Sequence, residues 1–405
     1  MSVRDFLRAG HLPTLAASLL HFETSFMIWV LMGGLGVIIA ADLGLSPAEK
    51  GLIVGIPLLG GALWRVPIGL LGDRFGAKRV GTVTMVAVLV PLALTWRVVD
   101  GVVGLGLVGI LLGLAGSSFA VALPLASRTY PARYQGTAMG IAAAGNSGAV
   151  LATLLAPRLG EAFGWQQVFG LAMLPALAAA LIFLLVAREA PVAGAAATGG
   201  VAVRALREPD LWWLALLYSM TFGGYAGLST FLGIYFHDQF GVGAVVAGGL
   251  VAVCALAGSL ARPFGGVAAD RVGGVRVLAV VYAVAPLALL APAAGAPLVF
   301  TFAALLVAMA ALGVGNGAVF QLVPRRFPGA VGFATGVTGA AGGFGGFLLA
   351  AMMGIERELT GSYGPGFVLF AVSLAYMFLC VNALHSGWRF TWLARSGVPR
   401  ASTDS

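Results

Sequence analysis

Long apolar runs separated by short polar segments dominate the pattern of this chain. A helix needs roughly 20 mostly apolar residues to cross a bilayer. The strands of a membrane β-barrel would instead alternate polar and apolar residues over about ten positions, and no segment does so. We therefore predict twelve transmembrane α-helices near residues 14–41, 51–71, 80–97, 101–126, 136–158, 166–187, 211–236, 243–268, 277–297, 299–323, 331–354 and 365–386.

The basic residues between these runs predict the orientation of the chain. Cytoplasmic loops of membrane proteins are enriched in Lys and Arg. With both termini in the cytoplasm, 17 of the 23 basic residues lie in cytoplasmic segments, and two more, Arg65 and Arg262, lie within spans. The outer loops hold the remaining four: Lys50, Arg97, Arg158 and Arg357. The sequence thus predicts cytoplasmic termini.

The composition agrees with a membrane protein and excludes several other classes. Of the 405 residues, 60% are hydrophobic and only 9% are charged, whereas soluble domains carry about 25% charged residues. A cytosolic enzyme and a disordered chain are excluded on this ground. A nucleic-acid-binding domain is excluded too, because the net charge of +8 is spread over many loops. The two cysteines, Cys254 and Cys380, lie in apolar runs and lack metal-ligand spacing.

The two halves of the chain repeat one another. GALWRVPIGLLGDRFGAKRV (61–80) aligns with GSLARPFGGVAADRVGGVRV (258–277) at an offset of 197 residues, with nine identical positions. Duplicated transporters consist of such halves, with the substrate site between them near the membrane midplane. We predict two six-helix halves, 1–190 and 208–390. A cytoplasmic linker, 191–207, joins them, and a cytoplasmic tail, 391–405, follows.

The loop after the second span carries a family resemblance. GLLGDRFGAKR (69–79) resembles the signature loop of the major facilitator superfamily, and AADRVGGVR (268–276) is similar to a degraded copy. The resemblance implies an all-α membrane protein with the major facilitator fold, two pseudo-symmetric six-helix halves. Because Asp73 lies beside Lys78 and Arg79, we expect a charge network that gates the cytoplasmic face; the alternative is that these charges only set topology. The candidate gating residues are Asp73, Arg74, Asp270 and Arg271.

Two arginines lie inside predicted spans at equivalent positions of the repeat, Arg65 in the second span and Arg262 in the eighth. An arginine at the bilayer centre costs about 2.5–3.5 kcal/mol on insertion scales, so it normally marks a pathway or a ligand. The alternatives are a buried acidic partner or a side chain that reaches the interface, and Glu23 is the only acid well inside a span. A guanidinium group is planar and forked, which favours a small planar oxyanion as the ligand.

Glycine-rich stretches narrow the resemblance. GNSGAVLATLLAPRLGEAFGWQQVFG (145–170) is similar to the first signature of the nitrate/nitrite porter family, and GVTGAAGGFGGF (336–347) resembles the second. The resemblance implies that one arginine from each half and an asparagine bind nitrate while aromatic side chains close over it. Without the resemblance, ordinary packing would explain the glycines and the aromatics. The matching substrate-binding residues are Arg65, Arg262, Asn146, Tyr218, Phe119, Phe320, Phe222, Asn316, Gly145 and Gly342.

Nitrate suits such a site because the ion is flat, monovalent and weakly hydrated. Two guanidinium forks and an amide can surround it in its plane, while aromatic faces exclude larger tetrahedral anions. Phosphate would require more positive charge and more donors. Nitrite differs from nitrate by one oxygen, so we expect modest discrimination between these two substrates.

Import of an anion against a negative-inside potential needs an energy source, since each charge costs about 2.3 kcal/mol per 100 mV. Symport with protons requires a titratable group, and Glu23 is the candidate. His21 lies two positions earlier and, on a helix, faces away from it. Some porters that are assigned to proton symport have a first span similar to this one and carry an acid in it, which favours symport. Electroneutral exchange of nitrate for nitrite, which needs no titratable group, is the alternative.

Other functional classes fit the sequence less well. A transporter-like sensor would need a signalling domain, and the linker and tail are too short to hold one. An enzyme would need a catalytic constellation or a metal cluster, and the sequence contains neither. An ATP-driven pump would need a GxxxxGK[ST] loop, which is also absent from the sequence. We expect a monomeric, multi-pass protein of the cytoplasmic membrane without a cofactor, whose partners are nitrate, nitrite, protons and membrane lipid.

Overall fold

A computed structural model describes residues 3–189, 204–328 and 330–391 of the chain. Most of the predicted linker 191–207 and nearly all of the predicted tail 391–405 lie outside the described residues. The first half contains α1 (Val3–Ala9), α2 (Leu12–Trp29), α3 (Leu31–Gly34), α4 (Gly36–Leu43), α5 (Pro47–Phe75), α6 (Ala77–Ala87), α7 (Leu89–Arg97), α8 (Val102–Gly116), α9 (Phe119–Arg128), α10 (Ala132–Ala143), a 3₁₀ turn (Ala144–Ser147), α11 (Gly148–Phe163) and α12 (Trp165–Val186). The second half contains α13 (204–207), α14 (Pro209–Phe240), α15 (Ala244–Val272), α16 (Gly274–Ala293), α17 (Leu298–Arg326), α18 (Val331–Thr360) and α19 (Gly364–Thr391).

Ten helical stretches in the described part of the chain are long and apolar enough to cross a membrane. Their bounds agree with ten of the twelve predicted spans to within six residues. The stretches are Pro47–Phe75, Ala77–Arg97, Val102–Arg128, Thr137–Phe163, Trp165–Val186, Ala244–Val272, Gly274–Ala293, Leu298–Arg326, Val331–Thr360 and Gly364–Trp388. The all-α prediction is confirmed, since the described residues form no strand.

The first and seventh predicted spans, 14–41 and 211–236, are helical but are not among the ten. The first consists of α2, α3 and α4, separated by single residues, and the seventh is the continuous helix α14. Both carry polar side chains that are buried inside the bundle: Thr14, Ser18, His21, Thr221, Ser229 and Thr230. That these two helices cross the membrane, and that the termini are cytoplasmic, stay predictions.

The repeat is visible in the backbone. Helix α15 begins and ends 197 residues after α5, and both end at a glycine with φ 95° and ψ 134°, Gly76 and Gly273. This left-handed conformation disfavours residues with a Cβ atom, which explains why glycine occupies both positions. The two halves of the sequence therefore fold into matching helices.

Large apolar side chains cover the outer surface of the bundle. Soluble monomers rarely expose such a continuous apolar surface, so this surface is suited to contact lipid chains. Among the most exposed are Val103, Leu107, Leu174, Leu185, Leu287, Val299 and Leu359.

The ends of the bundle differ in which chain segments they carry. We call the end with α1 and the end of α12 the terminal side, and the opposite end the far side. On the terminal side, Phe6 stacks on Tyr130 with ring centroids 4.8 Å apart. The Arg188 backbone N–H donates to the Thr14 hydroxyl there at 2.8 Å. These contacts bind the start of the chain to the ends of α9 and α12.

Candidate anion-binding site

Arg65 lies inside the bundle on α5, between the two prolines of that helix, and its side chain is 1% exposed. Its Nε donates to the Gly116 carbonyl at 3.0 Å, and its Nη1 donates to the Gly339 carbonyl. Gly339 belongs to the second half, so this guanidinium group bridges the two halves. The third nitrogen, Nη2, is buried without a hydrogen-bond partner. One donor of Arg65 is thus free for a ligand.

Arg262 occupies the equivalent position on α15 and is 5% exposed. Its Nη2 donates to the Tyr218 hydroxyl at 3.4 Å, a long hydrogen bond, and its Nη1 is buried without a partner. Both side chains end inside the bundle, among other helices, rather than on its outer surface. Each half therefore contributes one guanidinium group with an unpaired N–H.

Neither arginine forms an ion pair with an acid in the described residues. The Glu23 carboxylate instead accepts a hydrogen bond from the Ser147 hydroxyl at 3.1 Å. Burying an unpaired charge in a low-dielectric interior costs several kcal/mol. Two such cations close together leave a strongly positive, water-excluded site, which an anion would neutralise.

Aromatic rings enclose Arg65. Its guanidinium carbon lies 4.9 Å from the ring centroid of Trp29, 5.3 Å from that of Phe119 and 5.2 Å from that of Phe222. Cations within about 6 Å of an aromatic face are attracted by the ring quadrupole. The rings thus offset part of the desolvation of the guanidinium group and hold it in one orientation.

Arg262 shares this aromatic enclosure. Its guanidinium carbon lies 6.0 Å from the Phe222 centroid and 5.7 Å from the Phe320 centroid. The Tyr218 ring stacks on Phe222 at 4.9 Å and meets Phe320 edge-on at 4.7 Å. Because Phe222 contacts both arginines, the two guanidinium groups belong to one site.

Phe119 and Phe320 meet between the halves, next to the arginines. Phe119 follows a break in the fourth span, where α8 ends and two serines precede α9. Its ring centroid lies 5.3 Å from that of Phe320 on α17. Both residues were predicted to close over the anion, and the structure brings them together next to the arginines.

Two buried asparagines have unpaired amides. Asn146 lies in the 3₁₀ turn between α10 and α11, which packs against α2 and α15, and Asn316 lies on α17. In both, the side-chain oxygen and nitrogen are buried without a hydrogen-bond partner. The Thr338 and Ser118 hydroxyl oxygens are unpaired as well. Since buried polar atoms are nearly always paired in folded proteins, these groups mark places for polar ligand atoms or water.

The two glycines predicted to bind substrate have different surroundings. A Cβ atom on Gly342 would stand 2.7 Å from the Tyr218 ring and 2.8 Å from the Phe222 ring. Gly342 therefore makes room for the aromatic wall of the site. A Cβ atom on Gly145 would stand 2.8 Å from the backbone nitrogen of Glu23, so this glycine allows close packing of two helices.

Three groups that contact Arg65 were not predicted from the sequence. Trp29 is fully buried, and its Nε1 donates to the Pro57 carbonyl at 2.6 Å. Its spacing from Phe22 and Phe26 follows the helical repeat of a buried face, a signal that identifies the ring. The other two groups are the backbone carbonyls of Gly116 and Gly339, for which no sequence signal exists.

Comparisons with known proteins place this chain in a family. The model of the Major Facilitator Superfamily matches residues 17–350. The chain is 33% identical over 370 residues to the nitrite extrusion protein of Bacillus subtilis (strain 168), covering 89% of this chain and 92% of that protein. It is 35% identical over 371 residues to the probable nitrate/nitrite transporter NarK2 of Mycobacterium tuberculosis (strain CDC 1551 / Oshkosh), covering 89% of this chain and 93% of that protein. The chain belongs to the nitrate/nitrite porter family of the major facilitator superfamily.

The fold comparison agrees with this family. The porter is similar to a bacterial homologue of the human lysosomal transporter Spinster, with a TM-score of 0.71 at 20% identity, over 96% of this chain and 98% of that one. This likeness confirms the major facilitator fold. The porter is accordingly a membrane transporter rather than an enzyme, and a multi-pass protein of the bacterial cytoplasmic membrane.

The candidate gating residues of the porter pair differently from the predicted network. Asp73 accepts a hydrogen bond from Arg128 at 2.7 Å, rather than from its neighbours in the loop. Asp270 lies 3.6 Å from Arg325, which is the equivalent of Arg128 in the repeat. The partners come from the ends of α9 and α17, so each pair joins two helices within one half.

Three of the predicted gating residues, Arg74, Asp270 and Arg271, are exposed. The Arg74 guanidinium lies 5.1 Å from the Phe75 ring centroid, and Arg271 lies on the surface. Asp73 instead faces the second half, because its Oδ2 is 3.7 Å from the position of a Cβ atom on Gly332. Of the four, Asp73 is the one whose position suits a gate between the halves.

His21 and Glu23 point to different parts of the porter. His21 is buried, with its Nε2 3.0 Å from the Gly81 carbonyl and its ring 4.5 Å from that of Phe183. Glu23 reaches Ser147, the residue after Asn146. The predicted separation of the two side chains is thus seen, and the carboxylate lies beside the turn that carries the buried asparagine.

Proposed function

We propose that this porter carries nitrate, and also nitrite, across the cytoplasmic membrane by alternating access, with Arg65 and Arg262 holding the anion. The observation that carries the proposal is the pair of buried guanidinium groups, one from each half, with unpaired N–H groups and no acid paired to either in the described residues. The names of the two relatives, a nitrite extrusion protein and a probable nitrate/nitrite transporter, support the choice of anion.

The aromatic enclosure favours a flat anion. Phe222 lies against both arginines, and Phe119 and Phe320 meet beside them. A planar ion fits between ring faces while its oxygens accept N–H donors at its edge. A tetrahedral oxyanion would push the rings apart and would leave one oxygen against an apolar face, which costs free energy.

Filling the room beside this aromatic wall should block binding. In Gly342→Val, the new side chain must displace Tyr218 or Phe222, and overpacking of this kind costs about 1–3 kcal/mol. We expect nitrate affinity, measured by titration calorimetry, to fall by roughly tenfold or more. Gly336→Val on the same helix is the matched control, because a Cβ atom there meets nothing within 4 Å. Equal loss of affinity in both variants would contradict the assignment of Gly342.

Transport would follow from movement of residues 1–190 against 208–390 around the bound anion. We infer that the terminal side faces the cytoplasm, since most basic loop residues lie there. Arg65 already contacts the second half through the Gly339 carbonyl. An anion bound to the unpaired Nη2 of the same guanidinium group would shift that group and change its contact with the second half, which couples binding to movement. We treat the porter as a monomer surrounded by lipid.

For the energy source we propose symport with protons through Glu23. Its carboxylate accepts a hydrogen bond from Ser147, next to Asn146 in the turn that packs against the helix of Arg262. Protonation would change this contact and with it the position of the asparagine. Exchange of nitrate for nitrite is the second candidate, since the name of the Bacillus subtilis relative, a nitrite extrusion protein, supports outward movement of nitrite.

Uptake of labelled nitrate into proteoliposomes tests the proposal. We expect accumulation when an inward proton gradient is imposed on vesicles with an empty lumen, because symport needs no internal anion. Uptake only into vesicles loaded with nitrite would replace symport by exchange. Absence of uptake under both conditions, with protein that remains folded, would refute nitrate transport.

A further inference from the structure

The two halves are joined by polar contacts at the far side of the bundle. Lys50 at the start of α5 forms an ion pair with Asp238 at the end of α14, with Nζ and Oδ2 2.8 Å apart. The same Oδ2 accepts a hydrogen bond from the Tyr363 hydroxyl, also at 2.8 Å. The side chains of the pair are 19% and 15% exposed, so water screens this ion pair less than one on an open surface.

Tyr363 is held rigidly as a donor to this pair. Its side chain is buried, and its ring packs against Phe231 and Tyr235 with centroids 5.7 and 5.4 Å away. Burial and the nearby Asp238 carboxylate raise the pKa of Tyr363 above its usual range. The hydroxyl therefore stays protonated and donates a hydrogen bond to the carboxylate.

A second contact joins the halves nearby. The Glu358 carboxylate on α18 accepts hydrogen bonds from the Ser46 hydroxyl at 2.8 Å and from the Ala48 backbone N–H at 2.9 Å. Both donors lie at the N-terminus of α5, where the helix dipole favours a negative charge. The start of α5 is thus held by acidic residues from two helices of the other half.

The terminal side lacks a matching arrangement in the described residues. The Asp73–Arg128 pair stays within the first half, and the Asp270–Arg325 pair stays within the second. Arg326 pairs with acids at the start of α14, also within the second half. Ion pairs between the halves therefore occur on the far side alone in the part of the chain that the structure describes.

We propose that Lys50, Asp238 and Tyr363, together with Glu358, form a far-side latch that closes one end of the transport pathway. The two halves cannot separate at this end without breaking the Lys50–Asp238 ion pair and both hydrogen bonds that Glu358 accepts from the start of α5. The latch must therefore open once in every cycle of alternating access, and its strength sets how often the far side opens. This role holds whichever anion is carried.

A cysteine placed between the latch and the arginines reports the opening. Thr230 on α14 is buried, packs against Gly33 of the first half, and lies eight residues from both Phe222 and Asp238. At 1.5 Å per residue, it stands about 12 Å from each. With Cys254→Ala and Cys380→Ala as background, Thr230→Cys is labelled by a polar maleimide in nanodiscs without any substrate.

We expect Lys50→Met and Asp238→Asn each to speed labelling by up to about fivefold, the factor that corresponds to the upper end of the range for such ion pairs. Tyr363→Phe should give a smaller increase. The charge-swapped variant Lys50→Asp/Asp238→Lys should restore slow labelling. Arg158→Met is the control, because the hydrogen bond of that far-side arginine in the described residues lies within its own helix, to the Leu154 carbonyl.

Two results would overturn the latch. One is an unchanged labelling rate in both single variants. The other is a charge-swapped variant that labels as fast as the single ones, since a purely structural loss would not be repaired by reversing the pair. Neither result depends on nitrate, so failure of the latch and failure of the proposed transport function are distinguishable.

Discussion

Replacing either intramembrane arginine by lysine is expected to abolish most nitrate transport. The ammonium group is a compact point charge that lacks the planar fork of donors. Arg65→Lys also loses the geometry that joins the Gly116 carbonyl, the Gly339 carbonyl and the ligand at once. One charged hydrogen bond contributes about 1.5–3 kcal/mol, so nitrate affinity should fall by about 10- to 100-fold, and uptake into proteoliposomes should approach background.

The matched control for this pair is Arg158→Lys, which changes an exposed far-side arginine that bonds within its own helix. It should transport nitrate at the normal rate. Near-normal uptake by Arg65→Lys or by Arg262→Lys would remove that arginine from the site. Because both arginines hold the same anion, the loss of nitrate affinity in the double variant should not exceed the sum of the losses in the two single variants.

The second large effect concerns coupling. Glu23→Gln retains the shape of the side chain but cannot release a proton. We expect accumulation of nitrate driven by a proton gradient to disappear in this variant, while exchange against internal nitrite continues. The measurement is the uptake of labelled nitrate by vesicles under each of the two conditions.

Glu161→Gln serves as the control, since this carboxylate is exposed on α11. It should leave both activities unchanged. If Glu23→Gln accumulates nitrate as the unmodified porter does, proton coupling through Glu23 is wrong and exchange becomes the better account. A loss of both activities would mean that Glu23 serves only to hold the turn that carries Asn146.

The helices and the arginines could be predicted from the sequence for one physical reason. A charge inside an apolar run is conspicuous because it is costly, and the offset of 197 residues showed that Arg65 and Arg262 repeat. Helices α5 and α15 confirm the repeat, with equal lengths and the same glycine conformation at their ends. Local composition was enough for these features.

Contacts between distant residues could not be predicted in the same way. Asp73 pairs with Arg128, 55 residues away, although three basic residues follow it within six positions. The pair depends on how α9 packs beside α5, and no local pattern encodes that arrangement. The sequence also left open what pairs with Glu23, and the answer, Ser147, lies 124 residues away.

The breaks in the helices near the site were missed for a different reason. The apolar pattern runs on through the ends of α2, α8 and α10. Nothing in that pattern distinguishes a continuous helix from one that restarts after a residue or two. Trp29, Phe119 and Asn146 lie at these breaks. The sequence identified Phe119 and Asn146 only through a family resemblance, and it did not identify Trp29.

The central claim is that both arginines hold one anion, and an experimental structure of the porter with nitrate tests it most directly. We predict density for a planar ion that accepts hydrogen bonds from Arg65 Nη2 and Arg262 Nη1, the two nitrogens without partners, with the Phe222 ring beside it. An anion bound elsewhere, or both guanidinium groups unchanged and the space between them empty at saturating nitrate, would contradict the account.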